Sequence, residues 1–150
     1  MLSLVEYDEY FLDASWKWLN DRELKKLVMV GEFSKEQQTH YYESLKYRDD
    51  YKVWGIKYEE TPIGVVGLKN ISNNSAEYFG YIGEKAFWNK GLSRCIFFEI
   101  EQKMLEMNIN KLWLNVSIDN ERAIMAYLKN GFVEIKKTSD TLMMEKCFDI

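Results

Sequence analysis

The chain has one histidine, two cysteines, a net negative charge and no long apolar run in its 150 residues. Each shortage closes off a class of function. With His40 as the only histidine, neither a Cys/His or Ser/His nucleophilic centre nor a histidine-rich metal site is expected. Cys95 lies inside a helical pattern and Cys147 at the end of a final strand pattern, without metal-ligand spacing, so both are expected as buried thiols and no metal is expected. A net charge of −4 and a pI near 5.2 argue against a nucleic-acid partner, which needs clustered lysine and arginine. The apolar runs fall far short of a membrane span, so no membrane partner is expected. The first residues carry acid where a secretory leader carries base, which gives a cytoplasmic expectation. There is no internal repeat, linker or low-complexity segment. With 47% hydrophobic and 15% aromatic residues, 1–150 reads as a single globular domain able to bury a core without disulfides.

Against this acidic background one stretch stands out. Between Lys85 and Arg94 the chain carries Lys85, Lys90 and Arg94 and no acid. Gly91 lets backbone approach a ligand, and the residues after it open a helix whose first amides lack partners. Such a turn is an anion site suited to a phosphate or pyrophosphate. The same pattern also occurs in turns that bind nothing, so these residues alone leave both readings open.

Periodicity gives the order of elements. Leu2–Tyr7 alternates as a strand, Asp8 caps a helix through Phe11, Trp16 and Leu19, and a second short helix reaches Leu27. Ser34 with Gln37 forms a capping box ahead of a helix through Tyr41 and Leu45. Three antiparallel strands follow, Tyr51–Tyr58, Ile63–Ile71 and Ala76–Gly83, with Glu59 to Pro62 as the first turn. Leu92, Ile96, Ile100 and Met104 then mark one buried helical stripe ending near Asn108. Lys111–Ser117 is a strand expected parallel to the one before the helix. Asp119 or Asn120 caps a last helix that stops at Asn130-Gly131, and Phe132–Lys137 with Leu142–Cys147 closes the chain as a hairpin.

Two motifs fall into this order. Trp88-Asn89-Lys90-Gly91-Leu92-Ser93 follows Arg/Gln-x-x-Gly-x-Gly/Ala, with Trp88 and Ser93 as departures. Phe87-Trp88-Asn89-Lys90-Gly91 is close to a Tyr-Trp-x-Lys-Gly variant of the same place, and Ser93 is still small. About thirty residues later stands Asn120-x-x-Ala123-x-x-x-Tyr127-x-Lys129-x-Gly131-Phe132. In these motifs and in element order nearly the whole chain resembles the GNAT superfamily of acetyl-CoA-dependent N-acetyltransferases. The resemblance implies an α+β fold: a mixed, mostly antiparallel sheet of about seven strands with helices on both faces. The sheet is expected to splay between the strand ending at Gly83 and the strand starting at Lys111, with coenzyme A in the V. It implies that backbone amides of Asn89, Lys90, Gly91, Leu92, Ser93 and Arg94 hold the pyrophosphate, that Tyr81, Ile82 and Gly83 pair with the pantetheine arm, and that Asn120 meets that arm from the opposite side. An ordinary helix cap is the other reading of Asn120.

The implied reaction is attack of an amine on the acetyl thioester, through an oxyanion, with loss of the thiolate. It calls for a neutral amine, a donor to the oxyanion and a proton for sulfur. Tyr127 matches the family's proton donor, and a backbone N–H near Ile82 the oxyanion donor. The base is less defined. Members acting on protein α-amines often read Trp-Leu-Glu-Val where this chain reads Trp113-Leu114-Asn115-Val116, so that carboxylate is missing. Glu77, directly or through water, is the replacement and Glu84 the second candidate, a solvated strand-edge carboxylate being the alternative for each. The expected acceptor is a small-molecule amine, specifically a nucleotide-linked amino sugar, because Trp18-Leu19-Asn20-Asp21 and Gly80-Tyr81-Ile82-Gly83 resemble members of that kind. N-terminal acetylation of a protein such as a ribosomal subunit is the rival, and a silent acetyl-CoA-binding sensor the alternative of another class. Self-pairing as a homodimer is left open.

Overall fold

Four of the five helices among the described residues begin where a short polar side chain satisfies an otherwise free amide. In α1 (Glu9–Leu19) the Asp8 carboxylate accepts Phe11 N–H at 3.2 Å, and in α2 (Arg22–Leu27) Asp21 accepts Leu24 N–H at 2.9 Å. In α3 (Lys35–Ser44) Ser34 Oγ accepts Gln37 N–H at 3.0 Å and the Gln37 side chain accepts Ser34 N–H at 2.7 Å, closing the expected capping box. In α5 (Glu121–Lys129) the cap is Asn120 rather than Asp119, accepting Ala123 N–H at 3.3 Å. Each such cap is worth about 1 kcal/mol. Helix α4 (Ser93–Met107) is different: it has no side-chain cap at its start, and it ends at Asn108 in the left-handed conformation, φ 57°. This computed structural model describes residues 1–148; the final two residues of the expected 1–150 domain lie outside the described residues.

Seven strands form one sheet: β1 (Leu2–Glu6), β2 (Lys52–Tyr58), β3 (Thr61–Ser72), β4 (Ser75–Ile82), β5 (Lys111–Ser117), β6 (Val133–Lys137) and β7 (Thr141–Cys147). Their order is β1-β2-β3-β4-β5-β7-β6, antiparallel throughout except for the parallel pair β4–β5. The β2–β3 turn is tighter than expected. Only Glu59 and Glu60 leave the strands, Glu59 at φ 56°, so Thr61 and Pro62 already belong to β3. Proline is tolerated there because it stands at the beginning of its strand.

The sheet separates two clusters. On one side Ile96, Ile100 and Met104 of α4 pack with Val66, Leu68, Leu112, Leu114 and Met144. On the other, Tyr7, Phe11, Trp18 and Leu24 gather over Val65. Helices therefore cover both faces, as the mixed pattern of strands implies. The cysteines depart from expectation, for both are exposed. Cys95 precedes Ile96 and so misses the i, i+4 stripe. Cys147 lies at the strand end, off the face that buries Leu142 and Met144.

What positions the site is the middle of the sheet. Strands β4 and β5 share only three register pairs, Ser75 with Lys111, Ala76 with Leu112 and Glu77 with Trp113. Beyond Glu77, β4 stays paired with β3 as far as Ile82, and β5 stays paired with β7 as far as Ser117. Each strand keeps its outer partner while the two inner edges part.

Ile100, fully buried at the centre of the α4 stripe, tests this packing. Ile100→Ala is expected to lower unfolding free energy by about 2–5 kcal/mol in chemical denaturation, the range for truncating a closely packed aliphatic side chain.

Candidate active site

The parting of β4 and β5 leaves backbone groups without strand partners, and the register says which. Gly83 N–H donates to Ile63 C=O at 2.7 Å, so Gly83 faces β3, as does Tyr81, registered with Val65. Alternation then turns the backbone groups of Ile82 and Gly80 toward the gap. Ile82 C=O accepts the Trp88 indole N–H at 2.7 Å. The gap-side edge of β4 therefore offers Ile82 N–H together with both backbone groups of Gly80.

Next to this edge lies the turn singled out from sequence. Asn89 and Gly91 both take the left-handed conformation, φ 60° and 70°, and a Cβ on Gly91 would meet no protein atom within 4 Å. The turn leads into uncapped α4, where the amides of Ser93, Arg94 and Cys95 precede the first helical bond, Ile96 N–H to Leu92 C=O at 3.0 Å. Helix start and turn thus present donors outward to one groove.

That groove has a volume of about 1250 Å³ and runs between the turn at 87–94 and helix α5. Its walls carry five cations, Lys90, Arg94, Arg122, Lys129 and Lys146, against a single carboxylate, Glu121. Among the described residues Lys90, Arg94, Arg122 and Lys129 have no carboxylate partner. Lys85, counted with this cluster from sequence, is turned away: its ammonium pairs with Asp21 Oδ1 at 2.9 Å and Glu23 Oε1 at 3.0 Å. Those two carboxylates push its pKa up, and Lys85 in turn helps lower that of Asp21, below the lowering from Leu24 N–H.

Sequence reasoning missed Arg122, Lys129 and Lys146. The signal for the first two was their i, i+7 spacing on one face of α5, within the second motif. Lys146 had no local signal. It arrives from β7 and donates to Asn130 C=O at 2.6 Å.

A second hollow of about 670 Å³ opens on the α1–α3 face, lined in part by Tyr7, Ser15, Gln38, Tyr41 and Tyr51. Its polar groups are ordered by their own bonds: Tyr7 hydroxyl to Ser15 Oγ at 2.9 Å, Gln38 Nε2 to Ser15 Oγ at 2.9 Å, and Tyr41 to Tyr51 hydroxyl at 2.6 Å. Burial pushes the Tyr7 hydroxyl up to about 12 and raises Tyr51 as well. These phenols stay neutral donors at ordinary pH. Glu77 and Asn115 line this hollow, close to where the strands separate. Glu77 accepts Asn70 Nδ2 at 2.8 Å and lies 3.9 Å from Lys69 Nζ.

The two hollows share Tyr127, Tyr81, Gly80 and Asn120, together with Leu27 and Val28 at the end of α2. Tyr127 is half-buried, its ring 6.1 Å from Tyr78, 6.0 Å from Phe97 and 5.6 Å from Phe132, and burial pushes its hydroxyl up to about 12. Asn120 serves as the α5 cap and also donates to Leu27 C=O at 3.4 Å, so its side chain is already engaged from both ends. Ile82 and the turn residues Asn89 to Arg94 line the groove. Gly83 and Glu84 line neither hollow. A Cβ on Gly83 would stand 2.1 Å from the Trp18 ring, and Glu84 accepts the Trp18 indole N–H at 2.6 Å. The bond to Ile63 C=O keeps Gly83 N–H on the β3 side, and the bond to Trp18 turns Glu84, the second candidate base, away from the junction. Among the described residues no group of three His, Cys, Asp or Glu side chains is placed to hold a metal ion, and no helix is long and apolar enough to cross a membrane.

A cationic groove, an uncapped helix start and a bare strand edge fit a long phosphorylated carrier with amide groups. Comparison with known proteins agrees. The chain matches the Acetyltransferase (GNAT) family over residues 14–132. It is 22% identical over 139 residues to acetyltransferase PseH of Campylobacter jejuni, covering 92% of this chain and 87% of the relative. The fold superposes on spermidine N-acetyltransferase from Vibrio cholerae in complex with CoA and spermine, with a TM-score of 0.88 at 20% identity, covering 97% of this chain and 95% of that one. It also superposes on Campylobacter jejuni PseH in complex with acetyl coenzyme A, with a TM-score of 0.77 at 19% identity, covering 98% and 99%. Motifs, splayed sheet and family match agree: this chain belongs to the GNAT family of acetyltransferases and is an N-acetyltransferase with acetyl-CoA as its co-substrate.

Proposed function

We propose that the groove holds acetyl-CoA, that the second hollow receives a small primary amine, and that transfer takes place where the two meet, beside Tyr127. The observation that carries this reading is the shared wall itself, where Tyr127, Tyr81 and the strand edge at Gly80 line both hollows. Bound acetyl-CoA supplies an acyl group activated as a thioester. The turn at 89–94 and the cations of the groove anchor its phosphates, and Ile82 N–H donates to the acyl oxygen as negative charge gathers there. Tyr127 gives a proton to the departing sulfur. Glu77 takes the proton of the amine directly or through water.

The acceptor is assigned to amino sugars, with a nucleotide-linked amino sugar as the specific substrate. The stretches Trp18–Asp21 and Gly80–Gly83, which suggested this class, pack on each other: Trp18 covers Gly83 and meets Tyr81 edge-on at 6.3 Å. Rings and neutral hydroxyl and amide donors in the hollow suit the faces and hydroxyls of a sugar. A polyamine is the second reading, favoured by the likeness to the Vibrio cholerae enzyme. It is weakened by the two carboxylates of the hollow, for Glu32 is held by Lys25 at 3.3 Å and Glu77 lies beside Lys69. Basicity points the same way. An alkylamine of pKa ~10.4 costs about 4–5 kcal/mol to deprotonate at neutral pH, at 1.36 kcal/mol per unit, whereas a sugar amine is intrinsically less basic. Asn115, a non-base, stands in the hollow and gives no support to the N-terminal protein reading.

Incubation with acetyl-CoA and, in parallel, amino-sugar nucleotides, spermidine or N-terminal peptides, followed by thiol release, is expected to show turnover with the first. Turnover confined to either of the others overturns the assignment. Tyr127→Phe should lower turnover by about a hundredfold or more while acetyl-CoA affinity is kept; a sensor would show no turnover to lose. Because the proton-donating form of Tyr127 persists until pH nears 12, the rate should rise with pH as the amine deprotonates and then hold level through pH ~10. An alkaline fall below that point would remove Tyr127 as the acid. Gly91→Glu meets no protein atom, so it should abolish the heat of coenzyme A binding in calorimetry while costing about 1–2 kcal/mol of stability from the left-handed backbone.

A further inference from the structure

We propose that Trp88 is a positioning residue: its indole N–H caps Ile82 C=O and so makes the bare end of β4 a donor toward an acyl oxygen. The inference rests on acetyl-CoA as co-substrate and on Ile82 facing the gap. Trp88 departs from the Arg or Gln of the related motif, and the structure gives the departure a use. The peptide unit between Ile82 and Gly83 is held at both ends, its C=O by Trp88 Nε1 at 2.7 Å and its N–H by Ile63 C=O at 2.7 Å. Because that unit is planar, two bonds in opposite directions fix its orientation, and the preceding unit, which carries Ile82 N–H, is held by Tyr81 in register with Val65.

The electrostatic consequence follows from what shares the edge. Ile82 presents its N–H and its C=O on the same side of the strand, so an uncapped carbonyl would set a partial negative charge beside the donor. It would also invite a ligand amide to bond at the wrong place. The indole has a single donor and no acceptor, so it satisfies that carbonyl and adds no competing lone pair. Its own position is secured from the far wall of the groove. The Arg122 guanidinium of α5 lies 4.0 Å from the ring centroid, and Lys85 Nζ is 5.7 Å away. Cations held against a ring are attracted by its electron-rich face. The donor is thus set before any charge develops, which is the condition under which such a dipole helps a reaction.

Trp88→Phe keeps a ring between the two walls and removes only the donor. In ¹³C-labelled protein without coenzyme, the Ile82 carbonyl resonance should move upfield in this variant, the sense expected when an accepted hydrogen bond is lost. With acetyl-CoA carrying ¹³C in its acetyl carbonyl, infrared difference spectra should show the thioester stretch lowered on the native protein and returned part of the way on the variant. Affinity for coenzyme A itself should change by less than about threefold. An unmoved Ile82 resonance, an unmoved stretch, or loss of coenzyme A binding in the variant each overturns the proposal, the last by making Trp88 a ligand of the carrier. If the native protein fails to bind acetyl-CoA at all, the reading of the groove fails instead.

Discussion

Everything in this molecule depends on two adjacent parallel strands that cease to bond to each other. Backbone groups buried without partners cost free energy, so a sheet can open in its middle only where something else meets the freed amides and carbonyls. Strands β4 and β5 manage this by keeping their outer partners beyond the point where they part, which leaves two rails with bare inner edges. Three register pairs at one end hold the rails together, and beyond Glu77 they diverge. A ligand with its own amides could complete the pairing, which is why the opening in the sheet is the site proposed for the carrier.

The helices are arranged to serve the same gap. Four of them spend a side chain on closing their first turn, whereas α4 does not, and it begins beside the bare edge of β4. Its amides and its dipole are left for an anion. The charges follow. A protein of net charge −4 places five cations and one carboxylate around the groove, while the hollow beyond Tyr127 holds one lysine and two carboxylates. Charge is thereby sorted within a few residues of the junction, strongly positive along the groove and close to balanced in the hollow, where Glu77 lies beside Lys69 and Glu32 is held by Lys25.

Much of this was legible in the chain because it is written locally. Caps at Asp8, Ser34 and Asn120, the stripe at Ile96, Ile100 and Met104, and alternation in β5 are read within a few residues of one another. The turn at 88–94 belongs to the same category. What escaped was set by pairs far apart in sequence. Lys85 was counted with the anion site until Asp21 and Glu23, more than sixty residues earlier, claimed it. Glu84 and Gly83 looked available until Trp18 covered both. Lys146 reached the groove from the far end of the chain, and the cysteines misled because being one position off a buried stripe is enough to face water.

The role proposed for Tyr127 raises a question of acidity that its surroundings answer. A phenol pushed up to about 12 is a poor acid, and protonating a thiolate whose thiol has a pKa of roughly 8.5 in water would run uphill. The comparison with water is the wrong one. Burial raises a thiol for the same reason that it raises a phenol, because both lose the solvation of their anions. Tyr127 packs against Tyr78, Phe97 and Phe132, and burial raises its hydroxyl. A sulfur leaving there becomes basic in step with its donor, so the transfer returns toward balance. Histidine, with its cation nearer neutrality, would escape that matching, and the chain's single histidine stands on α3, exposed and away from both hollows. On this argument the aromatic cluster packed against α5 is as much a part of the acid as the hydroxyl is.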